Sequence, residues 1–127
     1  MGTMQVGYVN VCVVDFGAAV EFFGTKLGLT QLMREDDFGY ATFDGGPITI
    51  GVAKIDPADE TQAAMVGGMT SIGLVVSDLD ASYARLVEAG VEFTRPPEVM
   101  PWGGQLALML DVDGNIYYLD QVPENHP

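Results

Sequence analysis

VNVCVVD at residues 9–15 is matched by IGLVVSD at residues 72–78. Each stretch is a run of mostly apolar, largely β-branched residues that reaches an aspartate, Asp15 or Asp78. Such a run predicts a strand, and an aspartate at its end is a preferred N-cap for a helix that follows. The same strand-to-helix junction therefore occurs twice, which indicates an internal repeat of architecture.

The residues around the first stretch predict one strand, one helix and three more strands. The first strand covers about residues 6–14. The helix ends at Gly28, and its apolar residues recur at the spacing of a single helical face: Phe16, Ala19, Val20, Phe23 and Leu27. Strands are predicted at about residues 30–35, 39–44 and 47–53, and Gly45-Gly46 permits a tight turn between the last two.

The second stretch predicts the same order of elements. A strand at about residues 71–76 leads to a helix that Gly90 ends, with an apolar face of Leu79, Tyr83, Leu86 and Val87. Strands are predicted at about residues 92–95, 106–111 and 116–121, with Asp113-Gly114 turning the last hairpin. We interpret Asp111 and Asp113 as turn residues, because the further acidic residues of a calcium loop are missing.

The sequence therefore predicts a single α+β domain over residues 1–127, built from two βαβββ modules. Module 1 covers about residues 4–54, a connector without strand periodicity covers 55–67, and module 2 covers about 68–122. One helix covers only one face of a sheet, so two modules are expected to pair and form a cavity between curved mixed sheets. Pairing within one chain and exchange between two chains both stay open, and a homodimer is expected either way.

Composition narrows the possible partners and the compartment. The net charge of −13 argues against nucleic acid and anionic membranes as partners, and favours cationic small molecules. No apolar stretch is long enough to span a bilayer, and the N-terminus lacks a secretory pattern, so a cytoplasmic protein is expected. Cys12 is the only cysteine, which excludes an intrachain disulfide and a thiolate zinc site and favours core packing for its side chain.

The two strand openings, together with three further motifs, resemble a known family. These motifs are Phe22-Phe23 with Leu27-Gly28-Leu29, Pro101-Trp102-Gly103, and DVDGN at residues 111–115. They are similar to the vicinal oxygen chelate superfamily, which contains glyoxalases, bleomycin-resistance proteins and extradiol dioxygenases. The resemblance covers nearly the whole chain, but this fold supports many chemistries.

The resemblance also implies where a metal would bind, because metal-dependent members carry one ligand on the first strand and one on the last strand of each module. The first-strand positions are Tyr8 and Ser71, and the last-strand positions fall near Thr49 and at Tyr118. Neutral hydroxyls offer little charge to a divalent cation. The resemblance therefore points to a metal-free branch similar to the bleomycin-resistance proteins, with no cofactor.

The residues expected in the cavity suit binding more than bond breaking. They combine flat rings, hydrogen-bonding groups and one adaptable apolar side chain: Tyr8, Asn10, Thr49, Ser71, Met100, Trp102 and Tyr118. The Pro-Trp-Gly-Gly sequence favours the lip of a pocket over the core for Trp102. Strand alternation points Tyr117 away from Tyr118 and into the core. The acidic run at residues 35–37 is interpreted as a solvated loop.

Three functions remain open from the sequence. The leading hypothesis is a protein that binds and sequesters a small, antibiotic-like organic molecule, as the bleomycin-resistance branch does. The second is an enzyme of the same superfamily, either a lyase or isomerase with Tyr8 or Tyr118 as acid or base, or a dioxygenase-like metalloenzyme. The third is a dimeric protein-interaction module with a vestigial cavity.

Overall fold

A computed structural model describes residues 3–122. The chain divides into two compact units at Val66 and Gly67. The first unit contains strand β1, helix α1, three strands and a short helix: Tyr8–Val13 (β1), Phe16–Glu21 (α1), Gln31–Glu35 (β2), Tyr40–Asp44 (β3), Thr49–Lys54 (β4) and Glu60–Ala63 (α2). The second unit continues the numbering: Gly68–Val75 (β5), Leu79–Glu88 (α3), Glu92–Val99 (β6), Gln105–Leu110 (β7) and Asn115–Gln121 (β8). The predicted βαβββ order is confirmed in both modules.

Each module contains a four-stranded mixed sheet with the same topology. The strand orders are β1-β4-β3-β2 and β5-β8-β7-β6, so the first and last strands of each module pair in parallel at its edge. The other neighbours pair antiparallel. The predicted α+β class, with two modules containing mixed sheets, is confirmed.

The core of the first module lies between its helix and one sheet face. Val11 and Val13 of β1 alternate with the outward-facing Asn10 and Cys12, because successive strand residues point to opposite faces. The Phe23 ring is fully buried and lies 5.8 Å from that of Phe43 on β3. Aromatic packing thus holds the helix against the sheet.

Both helices begin where the sequence predicted. The Asp15 carboxylate accepts a hydrogen bond from the Ala18 amide, and the Asp78 carboxylate accepts one from the Ala81 amide, each at 3.1 Å. The first helix then widens into a π-helical turn over Phe22–Lys26, in which the Leu27 amide donates to the Phe22 carbonyl.

Three local features were not predicted. The connector contains the short helix α2, which the Asp59 carboxylate caps. Strand β6 continues to Val99 across two register shifts, and β5 begins at Gly68 and carries an irregularity before Gly73.

Within residues 3–122, no helix is long and apolar enough to cross a membrane.

A buried polar network closes the last hairpin. One Asp111 oxygen accepts the Asp113 and Asn115 amides, and the other accepts the Asn115 side-chain amide at 2.9 Å and the Tyr117 hydroxyl at 2.6 Å. Burial raises the pKa of the Tyr117 hydroxyl well above its ordinary value, and the adjacent Asp111 carboxylate raises it further. The turn interpretation of Asp111 and the core position of Tyr117 are both confirmed.

Candidate functional site

The sheet face opposite the helix in module 1 holds three of the predicted ligand-binding residues. Tyr8 and Asn10 project from β1 on this face, and Thr49 of β4 is the register partner of Tyr8. Tyr8 is 61% exposed and Asn10 is also exposed. This open face therefore brings Tyr8, Asn10 and Thr49 together as a surface of hydroxyl and amide groups.

A hydrogen bond between two side chains crosses this open face. The Tyr40 hydroxyl of β3 donates to Asn10 Oδ1 of β1 at 2.9 Å, although strand β4 separates the two strands. The two side chains meet above Gly51, where an added Cβ would clash with Asn10 Oδ1 and lie 2.5 Å from the Tyr40 hydroxyl. Gly51 therefore leaves the space in which this contact forms.

Tyr40 was not among the predicted ligand-binding residues. A glycine inside a strand is itself a sign that another group approaches closely. Gly51 offered that sign, but its neighbours depend on strand register, which the residue types alone do not set.

In module 2, Tyr118 lies in a regular part of the sheet, whereas Ser71 lies in an irregular part. Tyr118 is partly exposed on the face opposite the buried Tyr117, and its register partner on β5 is Gly73. Ser71 lies in an irregular part of β5 and has a left-handed backbone, with φ at 63°. The predicted regular first-strand position for Ser71 is therefore corrected to a bulge outside the ladder.

The strand pairing also changes which residues occupy equivalent positions in the two modules. Gly73 stands five residues before Asp78, as Asn10 stands five residues before Asp15. The β4 partner of Asn10 is Gly51, so Gly51 rather than Thr49 is the counterpart of Tyr118. Thr49 lies two residues earlier on the same face.

Met100 and Trp102 lie in the turn between β6 and β7. The Met100 amide donates to the Gly104 carbonyl at 2.8 Å, and the Gly103 amide donates to the Met100 carbonyl at 2.9 Å. Gly103 has φ at 96°, a conformation that favours glycine. This turn leaves Trp102 58% exposed, which excludes core packing for its ring in this structure.

Comparison with known proteins identifies the family. The model of the Glyoxalase/Bleomycin resistance protein/Dioxygenase superfamily matches residues 5–117. The chain belongs to this superfamily.

Three known proteins are similar to this chain along most of its length. A superfamily member from Sphaerobacter thermophilus DSM 20745 is 29% identical with a TM-score of 0.80, over 94% of this chain and 98% of that one. TnmS3, an antibiotic binding protein from Streptomyces sp. CB03234, is 27% identical with a TM-score of 0.76, over 97% and 99%. The uncharacterized protein YraH of Bacillus subtilis (strain 168) is 29% identical over 121 residues, which cover 89% of this chain and 94% of that protein.

The four residues that the resemblance implied as metal-ligand positions do not suit a divalent cation. Tyr8 lies beside Thr49, and neither side chain supplies a carboxylate, imidazole or thiolate. In module 2, Tyr118 is paired with a glycine while Ser71 lies in the bulge. Residues 3–122 contain no group of three His, Cys, Asp or Glu side chains that could hold a metal ion. No chemical step at this site is therefore assigned to a metal.

We expect the purified protein to carry less than about 0.1 equivalent of zinc, nickel, manganese or iron after dialysis, because neutral hydroxyls do not replace the hydration of these ions. Elemental analysis by plasma mass spectrometry checks this. A near-stoichiometric transition metal that survives dialysis would contradict the ligand assignment.

The acidic run at residues 35–37 and Cys12 both make local contacts. Asp36 forms an ion pair with Arg34 at 2.9 Å, and Glu35 accepts the Asp37 amide, as expected of a solvated loop.

Cys12 faces away from the helix-covered core, and its Sγ lies 3.9 Å from Met65 Sδ. The predicted core position of Cys12 is corrected to a half-buried one beside the connector.

Proposed function

We propose that this chain is a cytosolic, metal-independent protein that binds and sequesters a small organic molecule. The observation that carries the proposal is the open face of module 1, where Tyr8, Asn10 and Tyr40 present hydrogen-bonding groups. Such a surface orients a ligand by polar contacts.

Relatives and charge support the same proposal. TnmS3 is described as an antibiotic binding protein and is similar over 97% of this chain. Acidic residues number 18 against 5 basic ones, which creates a negative field that attracts cations. The exposed Trp102 ring offers a face on which a planar cation can stack. An antibiotic-like, planar and cationic compound is the ligand class that fits these features.

The test uses Trp102, whose fluorescence is unambiguous because the chain contains one tryptophan. Cationic, neutral and anionic aromatic compounds are titrated at low and high salt. We expect cations to bind best, and to bind more weakly as salt screens the field over a Debye length of about 8 Å at physiological ionic strength. By calorimetry, Trp102→Ala should weaken cation binding by about 2- to 30-fold, the range of one cation–π contact.

The matched variant Phe38→Ala removes another exposed ring, in module 1, and should leave affinity unchanged. Anions that bind as well as cations, or an affinity that survives Trp102→Ala, would refute this mode of recognition. Turnover of a bound compound would instead favour the enzyme hypothesis.

We also propose that the protein acts as a homodimer, since each sheet has open edge strands that association can cover. Light scattering should give the mass of two chains, about twice 13.6 kDa. A mass of one chain at every concentration would contradict this proposal.

A further inference from the structure

The geometry points to a hydrogen-bonding subsite at Asn10, Tyr40 and Gly51 that recognises a carboxamide group of the ligand. This inference rests on the proposed binding function and names the chemical group that the open face of module 1 selects. Its basis is the hydrogen bond from the Tyr40 hydroxyl to Asn10 Oδ1.

This hydrogen bond determines what the two side chains still offer to a ligand. Tyr40 has used its only donor, so its oxygen remains as an acceptor. Asn10 has used one lone pair of its carbonyl oxygen, and its NH₂ group remains as a donor. Within residues 3–122, neither polar group makes a second hydrogen bond. The pair therefore presents the two N–H donors of Asn10 beside the acceptor oxygen of Tyr40.

A carboxamide is complementary to such a pair, because its C=O accepts from the Asn10 amide while its N–H donates to the Tyr40 oxygen. Rotation of the Asn10 amide by a half-turn would exchange the two roles but preserve one donor and one acceptor. An ester or a carboxylate lacks the N–H and leaves the acceptor without a partner. The ester therefore forms one hydrogen bond fewer with the pair than the carboxamide does.

Gly51 keeps the subsite in this arrangement. A Cβ at this position would lie 2.5 Å from the Tyr40 hydroxyl and 3.0 Å from its ring carbon Cζ, so both polar groups would have to shift from their present positions. Gly51 therefore acts as a positioning residue, while Asn10 and Tyr40 make the contacts.

The experiment uses two permanently cationic, planar probes that differ only at the recognised group, 1-methylquinolinium-3-carboxamide and the corresponding methyl ester. Calorimetry measures both affinities on the full chain. We expect the wild-type protein to bind the amide about tenfold more tightly, since one additional hydrogen bond is formed. Tyr40→Phe and Gly51→Ala should each reduce this preference to about twofold or less, with ester affinity changed little by Tyr40→Phe.

The control is Gly17→Ala, because a Cβ at Gly17 meets no atom within 4 Å and the residue lies in α1. It should keep the amide preference. Thermal unfolding verifies that each variant is folded, and Tyr40→Phe decides the result if Gly51→Ala does not fold. Equal binding of both probes to the wild type, or a preference that survives Tyr40→Phe, overturns the subsite and leaves the proposed function intact. Failure of both probes to bind overturns the subsite and contradicts the proposed ligand class.

Discussion

Replacement of Asp111 by alanine should lower the free energy of unfolding by about 3 kcal/mol, among the largest effects expected of one substitution. The buried Asp111 carboxylate accepts four hydrogen bonds, including those from the Asn115 side chain and the Tyr117 hydroxyl. Alanine would leave both donors without this acceptor, and the Tyr117 side chain is 0% exposed, so water does not replace it. Urea denaturation at neutral pH measures the change.

Two further variants test whether the loss of stability comes from the buried network rather than from the removal of any carboxylate. Asp36→Ala removes an exposed carboxylate that pairs with Arg34, and should cost less than about 1 kcal/mol. Asp111→Asn keeps one carbonyl oxygen for the backbone amides but places an NH₂ group against donors, so we expect an intermediate loss. If Asp111→Ala costs no more than Asp36→Ala, the network does not stabilise the hairpin.

The order and type of the elements could be predicted because local signals agree. Strand β3, for example, was expected at residues 39–44 and occupies Tyr40–Asp44. Its apolar alternation and the glycines that follow it are properties of neighbouring residues. The caps Asp15 and Asp78 are equally local, since each carboxylate binds an amide three residues away.

The bulge at Ser71 could not be predicted for a physical reason. Its backbone has φ at 63°, a region that glycine, asparagine and aspartate adopt more readily than serine. The residues that follow Ser71 are mostly apolar, so the sequence predicted a regular strand at about residues 71–76. The neighbouring Thr70 hydroxyl donates to the Ile116 carbonyl at 2.7 Å and accepts the Ile72 amide, contacts that depend on β8.

The sequence predicts which face three of the candidate residues share, but not the contacts between side chains on that face. Tyr8, Asn10 and Thr49 do share the open face of module 1, because alternation along a strand follows from the sequence. The contact between Asn10 and Tyr40 spans 30 residues of sequence and requires β4 to lie between their strands. Such a contact follows from topology, which local patterns do not specify.

The three functional hypotheses differ in what the open face must do. Sequestration needs complementary hydrogen-bonding groups, and on this face Asn10 and Tyr40 supply them. Catalysis by Tyr8 would require a reacting atom held within hydrogen-bond reach of its hydroxyl. A protein-interaction module needs no selectivity for an amide over an ester. The paired probes therefore distinguish small-molecule recognition from that third function.

Alkaline pH should destabilise the protein through Tyr117. In the folded state, burial and the Asp111 carboxylate raise the pKa of this hydroxyl, whereas in the unfolded chain it titrates near about 10. A group with a raised folded pKa contributes its full stability below the unfolded pKa. That contribution is lost as pH rises above about 10, because the unfolded chain releases a proton that the folded protein retains.

Through Tyr117 alone, the free energy of unfolding should therefore fall by about 1.4 kcal/mol for each pH unit above 10. This fall continues until the hydroxyl ionises in the folded protein as well. Urea denaturation of wild type and Tyr117→Phe between about pH 9 and pH 11 isolates this contribution, since the other tyrosines are common to both proteins. Tyr117→Phe should be the less stable protein at neutral pH, because Asp111 loses one donor in a buried site. The difference in free energy of unfolding between Tyr117→Phe and the wild type should become smaller by about 1.4 kcal/mol between about pH 9 and pH 11. Two stability curves that stay parallel would mean that Tyr117 ionises equally readily in the folded and unfolded states, and the buried network would not hold its proton.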